Sequence, residues 1–155
     1  MIKIIKVHVS RETLHKGHLL HMIRIFTSET QKIGELGEKI ALKFLKDRGF
    51  VSRETNFYTK YGEIDIICEK EGIIHFVEVK TVSRETYSDS NGYDPEFNIS
   101  KNKIKKMEFV IQQYIEKRRA PRETHFQIDV IGVFLNVLEK KAYVRYTDNV
   151  FYEYW

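Results

Sequence analysis

Between Gly62 and Lys80 the chain carries two short strand-like runs, Gly62-Glu63-Ile64-Asp65-Ile66-Ile67 and His75-Phe76-Val77-Glu78-Val79-Lys80. Both are rich in β-branched residues, and Glu69-Lys70-Glu71-Gly72 between them is turn-like, so they read as an antiparallel pair. A strand alternates its side chains between two faces. Glu78 and Lys80 then share one face while Val77 and Val79 take the other, and Glu63 and Asp65 share a face by the same rule. Paired as a hairpin, the runs bring three carboxylates and one amine together. Hard divalent ions such as magnesium take oxygen ligands, and a lysine beside them can hold a phosphate or an attacking water, the combination that phosphodiester hydrolysis needs. The same alternation describes the wet face of an ordinary strand, so the surrounding chain has to decide between the two.

Residues 31 to 48 carry a helical stripe of Ile33, Leu36, Gly37, Ile40, Ala41 and Phe44, closed by Gly49. Glu38 falls at the edge of that stripe, where a carboxylate can look into a cleft. Strands are expected over 50–58, 63–69 and 73–81, forming a meander. Residues 83 to 100, with Tyr87, Tyr93 and Phe97, read as a long loop of the kind that often carries function. A second helix is expected from Ser100, a suitable N-cap, to Arg118, burying Ile104, Met107, Ile111, Tyr114 and Ile115. Lys101, Lys103, Lys105 and Lys106 crowd its start. Cations in a first turn oppose the helix dipole, which phosphate binding would explain and a solvated face would explain more commonly. Strands near 125–135 and 141–147 complete an α/β chain ordered helix, three strands, helix, two strands.

At 155 residues the chain suits one domain, and its formal charge of +4 is compatible with nucleic acid without requiring it. The single cysteine, Cys68, lies in an apolar run and reads as a buried thiol, which excludes an internal disulfide or a cysteine-based zinc site. No stretch reaches membrane-spanning length and no signal-peptide pattern is present, so the expected location is the cytoplasm, without membrane partners. Residues 1–30 hold His8, His15, His18 and His21. A metal site on one helix face is the less favoured reading, because no Cys or nearby carboxylate completes it. A poorly ordered N-terminal extension before a domain at 31–155 is expected, with Met22 as an alternative start.

Val-Ser-Arg-Glu-Thr recurs at 9–13, 51–55 and 82–86, and Pro-Arg-Glu-Thr at 121–124. The uneven spacing excludes a solenoid. The copies are expected where elements meet, places that tolerate insertion. The DNA string GTTTCACGTGAAAC encodes the repeat when one base follows and is its own reverse complement, so the repeat reads as a dispersed palindrome translated in passing.

Taken in order, Gly34-x-x-Gly37-Glu38-x-x-Ala41, Gly62-Glu63-Ile64-Asp65 and Phe76-Val77-Glu78-Val79-Lys80 resemble the YraN family of small bacterial proteins, predicted endonucleases, over roughly residues 31 to 135. The resemblance implies the restriction-endonuclease-like fold of the PD-(D/E)xK nucleases, a mixed β-sheet flanked by helices with core order αβββαβ, similar also to archaeal Holliday-junction resolvases. It implies that Asp65 and Glu78 bind magnesium or manganese, that Lys80 orients water or stabilises the phosphorane, and that Glu38 adds a carboxylate. Glu63 becomes an auxiliary ligand, and Arg84 with the lysines at 101, 103, 105 and 106 would hold DNA, including branched DNA. Junction resolvases act as dimers, so a homodimer is expected by analogy. Two departures stand out: Val82 follows Thr81 where the family usually has an arginine soon after, and Gln127-Ile128-Asp129-Val130 replaces Arg-Phe-Asp-Val. The competing readings are a nucleic-acid-binding protein that keeps the fold without cleaving, and a structural partner protein.

Overall fold

Ile40, Ala41, Phe44 and Leu45 form the buried stripe of a helix, α1 (Glu29–Lys46), in the computed structural model, which describes residues 3–8, 29–83, 99–121, 123–136 and 138–150. Gly49, at φ 82°, ends the helix in the left-handed region. Its N–H and that of Phe50 donate to the carbonyls of Lys46 at 3.0 Å and Leu45 at 3.2 Å, closing the last turn as a Schellman motif. The strands that follow are β2 (Val51–Thr59), β3 (Gly62–Lys70) and β4 (Ile73–Ser83). A second helix, α2 (Lys101–Arg118), begins where the Ser100 hydroxyl accepts the Lys103 N–H at 3.2 Å. After it come β5 (Phe126–Asn136) and β6 (Lys141–Thr147), and Lys3–His8 forms β1 at the start of the chain.

The six strands make one sheet in the order β1-β6-β5-β4-β3-β2. β4 and β5 are parallel and every other neighbouring pair is antiparallel. A parallel pair needs a crossover, and α2 supplies it. The two helices therefore lie on opposite faces. On one, Ile104, Met107, Val110, Ile111 and Tyr114 of α2 pack against Phe57, Ile67, Phe76 and Ile128. On the other, the α1 stripe packs against Cys68, Val77, Ile131, Val133 and Val144. This is the α/β arrangement of a restriction-endonuclease-like core, extended by β6 and β1.

Two expectations change. Residues 3–8, placed by the sequence in an N-terminal extension, pair along β6 from Lys3↔Tyr146 to His8↔Lys141 and so contribute an edge strand; His15, His18 and His21 lie outside the described residues. The repeat copy at 51–55 does not sit between elements but forms the first half of β2. The pairing with β3 shifts register between Ser52 and Glu54, a bulge that takes up an extra residue without breaking the strand. Within that copy Arg53 pairs with Glu69, and Glu54 pairs with Arg118 of α2. Arg84, Tyr87, Tyr93 and Phe97 lie outside the described residues.

Candidate active site

β3 and β4 pair main chain to main chain from Lys70↔Ile73 as far as Ile66↔Val77. At the next position the Asp65 carboxylate takes over as acceptor: its Oδ2 receives the Val79 N–H at 2.6 Å. On the other flank of β3, Asn56 stands between the pairs Thr55↔Ile66 and Phe57↔Ile64 with φ 52°, a left-handed conformation that asparagine tolerates better than most residues. The regular alternation stops here. Ile64 packs in the core under α2 and Ile66 in the core under α1, although the two are only two positions apart. The expectation that Glu63 and Asp65 share a face assumed unbroken period-two alternation, and the irregularity at Asn56 and Asp65 removes that basis. Glu63 is exposed, and its charge acts on Glu38.

Asp65 and Glu78 are both buried, 9% and 5% exposed. Burial, and then the like charge of Glu78, push the Asp65 carboxyl up to about 7, against the opposing pull of the Val79 N–H and Lys103; Glu38 adds a smaller upward push. Two ammonium groups flank Glu78. Lys80 Nζ lies 3.4 Å from Oε1 and Lys103 Nζ 2.8 Å from Oε2. Oε2 is buried and receives no hydrogen bond, because the Lys103 ammonium is close enough for ion pairing but off the hydrogen-bonding direction. Lys103, grouped by sequence with the DNA-holding lysines, thus stands inside the carboxylate cluster. Lys101, Lys105 and Lys106 remain exposed on α2.

Glu38 reaches the same neighbourhood because α1 crosses β4 closely. A Cβ added to Gly37 would collide with the Thr81 Oγ1 and come within 2.7 Å of Cγ2 and 2.8 Å of Cβ, so only glycine permits this approach beside Lys80. Gly34 faces open space, and nothing there requires glycine. Burial raises the Glu38 carboxyl above its ordinary range and a hydrogen bond from Asn56 opposes this; Glu63 and Glu35 raise it further, while Lys39 lowers it. Asn56 was not singled out from the sequence. The legible signal was an asparagine in mid-strand, a residue type depleted in strands.

The donor set suits a hard cation. Asp65 and Glu78 offer adjacent carboxylates, one with an oxygen lacking a hydrogen-bond donor, and magnesium is commonly held by one or two carboxylates with water completing its shell. Among the described residues no three His, Cys, Asp or Glu side chains are grouped closely enough to hold one ion, so the broader set including Glu38 and Glu63 is not assembled as ligands.

Asp129, which the sequence set apart, serves elsewhere. It is fully buried and accepts from Tyr146 Oη at 2.8 Å, Gln127 Nε2 at 2.7 Å and the Asn149 N–H at 2.9 Å, with His75 Nδ1 at 2.6 Å. These bonds tie β4, β5 and β6 together on the α1 face. A cavity of about 720 Å³ lies at the opposite end of the β3–β4 hairpin, lined by Gly72, Ile74, His125 and the ion-paired Arg53 and Arg118. It lies away from Asp65 and Glu78, which hold the convergent chemistry. No helix among the described residues is long and apolar enough to cross a membrane.

Residues 37–133 match the model of the uncharacterised protein family UPF0102. A UPF0102 protein of Campylobacter hominis is 41% identical over 102 residues, 66% of this chain and 83% of that protein. One from Nitratiruptor is 39% identical over 107 residues, 69% and 87% of the two chains. One from Clostridium botulinum is 37% identical over 119 residues, 77% and 93%.

Proposed function

The chain belongs to the UPF0102 family, that of YraN, and from this premise we propose that it is a magnesium- or manganese-dependent endonuclease hydrolysing DNA phosphodiester bonds in branched or damaged DNA. The observation that carries this reading is the adjacency of two buried carboxylates, Asp65 and Glu78, the charge of Glu78 raising the Asp65 carboxyl, with two ammonium groups beside Glu78. Two like-charged carboxylates buried side by side are costly to keep and are characteristic of sites rather than scaffolds. A bound divalent ion supplies a Lewis acid that acidifies water and offsets charge developing at phosphorus.

The chain's own residues do the rest. Lys80, partly open to solvent and anchored on Glu78, orients the attacking water or contacts the phosphoryl oxygens as their charge grows. Lys103 neutralises Glu78 from the α2 side and faces the same space. Asn56 holds Glu38 in position at the rim. Lys101, Lys105 and Lys106 take the phosphates that flank the reacting one, contacts that position DNA without reading its sequence. The reading carries DNA as partner, the cytoplasm as location and a homodimer by analogy with junction resolvases. Sedimentation of the purified protein decides the last.

Incubation with supercoiled plasmid and a four-way junction, in magnesium, manganese or EDTA, tests the activity. Cutting in either metal and none in EDTA is expected. Binding without cutting in both metals establishes a non-catalytic nucleic-acid-binding protein instead.

A further inference from the structure

Tyr61, in the β2–β3 turn, and Phe109, on α2, stack on one another with ring centroids 5.6 Å apart and planes 30° from parallel. They are 42% and 49% exposed, so the stack stands on the surface and is not part of either core. The Lys60 ammonium lies 5.0 Å from the Tyr61 ring centre, adding positive charge at the same spot. A folded chain gains little by leaving two large rings half in water, whereas a nucleobase gains from any flat aromatic face it can reach.

The place of this stack relative to the carboxylates is what gives it meaning. Lys103, Lys106 and Phe109 follow each other at three-residue spacing on α2, so neighbours touch and the row winds about a third of a turn around the helix from Lys103 to Phe109. Lys103 touches Glu78 at one end of the row, exposed Lys106 stands midway, and the aromatic stack is at the other end. Six residues of helix span about 9 Å. Stacked nucleotides rise roughly 3.4 Å each, so with the turn of the row added to this rise the rings lie at least about three nucleotides from a phosphate held at the carboxylates. In continuous duplex the bases there face their complements and are closed to a protein ring. Only a strand whose bases are free of pairing can use the row.

We propose that Tyr61 and Phe109 form a stacking ledge for an unpaired nucleobase a few nucleotides from the scissile phosphate, which makes forked or flapped DNA the substrate class and continuous duplex a poor one. The inference rests on the nuclease reading of the carboxylate site and adds the structure of the DNA it takes. Lys106 carries the intervening phosphate, and Lys60 strengthens the stack from the side of the turn.

The test is binding, measured in EDTA so that cutting plays no part. Fluorescence anisotropy compares a forked DNA with a blunt duplex of the same sequence, and 2-aminopurine placed in turn at each of the first few nucleotides of the single strand reports stacking by quenching. The wild-type protein is expected to bind the fork roughly tenfold to a hundredfold more tightly than the duplex and to quench the probe. Tyr61→Ala with Phe109→Ala removes both effects and leaves duplex affinity unchanged, while Phe109→Trp keeps them. Circular dichroism verifies that the variants are folded; both rings are surface groups. Equal binding of fork and duplex by the wild type, or a double variant that still prefers the fork, overturns the ledge. The two readings separate cleanly. A protein that quenches the probe but never cuts DNA keeps the ledge and loses the nuclease, and one that cuts without quenching loses the ledge alone.

Discussion

The Asp65 carboxylate receives the Val79 N–H at 2.6 Å, at the point where main-chain pairing between β3 and β4 has ended. One side chain thus completes the hairpin and fixes Asp65 beside Glu78, the residue before Val79. The arrangement stores electrostatic cost, since both carboxylates are buried and like-charged.

That cost has a pH signature in the metal-free protein. The Asp65 carboxyl titrates near 7 when folded against an ordinary 3.8, so the folded state keeps a proton that the unfolded chain has released. Stability therefore declines as pH rises from about 4 through 7 and levels off above, with a total on the order of a few kcal/mol. Thermal melts in EDTA between pH 5 and 8 are expected to show a falling midpoint, and Asp65→Asn to flatten the slope. A wild-type midpoint that rises over this range contradicts the assignment.

Lys103→Met removes the ammonium 2.8 Å from Glu78 Oε2. Because Lys103 is partly exposed, water replaces some of the lost compensation, and a destabilisation of about 1–3 kcal/mol is expected in EDTA. Calorimetric titration should show magnesium or calcium binding several-fold more tightly than to wild type, since a competing cation is gone. Weaker metal binding would instead make Lys103 a support for the ion.

Gly37 and Gly34 separate close packing from mere helix composition. Gly37→Ala drives a methyl group into Thr81, whose Cβ is itself too near for a change of rotamer to clear the clash, and a loss of about 1–3 kcal/mol is expected together with displacement of Glu38. Gly34→Ala meets nothing and is expected to raise stability by about 0.5–1 kcal/mol through helix propensity. Chemical denaturation of both variants checks the opposite signs.

Asp129→Ala strips the acceptor from Tyr146, Gln127 and the Asn149 N–H and leaves His75 facing a cavity. The expected loss is on the order of 3–5 kcal/mol, a fall in melting midpoint of roughly 10 °C or more. An unchanged midpoint would remove Asp129 from the scaffold.

Periodicity revealed the two helices, the meander and the two strands after the second helix, because apolar spacing follows directly from which face is buried. Asp65, Glu78 and Lys80 were legible for the same reason: charged residues in otherwise apolar strands. What escaped were features set by departures from regularity. The left-handed Asn56, marked in the sequence only as an asparagine in mid-strand, the break in alternation at Asp65 and the bulge at Arg53 depend on neighbouring strands, and apolar periodicity does not encode them. Lys103 looked like its neighbours Lys101, Lys105 and Lys106 until α2 was seen against the sheet. β1 is joined to the fold by a partner at the far end of the chain, Lys141 to Tyr146.

Asp65, Glu78 and Lys80, as the proposed centre of a metal-dependent nuclease, are tested by single-turnover cleavage of a four-way junction by wild type and Glu78→Gln. The charge-removing but nearly isosteric change keeps the site's shape. Cutting by the wild type in magnesium or manganese, none in EDTA, and a loss of at least about a hundredfold in Glu78→Gln are expected. Cutting at the wild-type rate by Glu78→Gln, or no cutting by the wild type in either metal, contradicts the assignment.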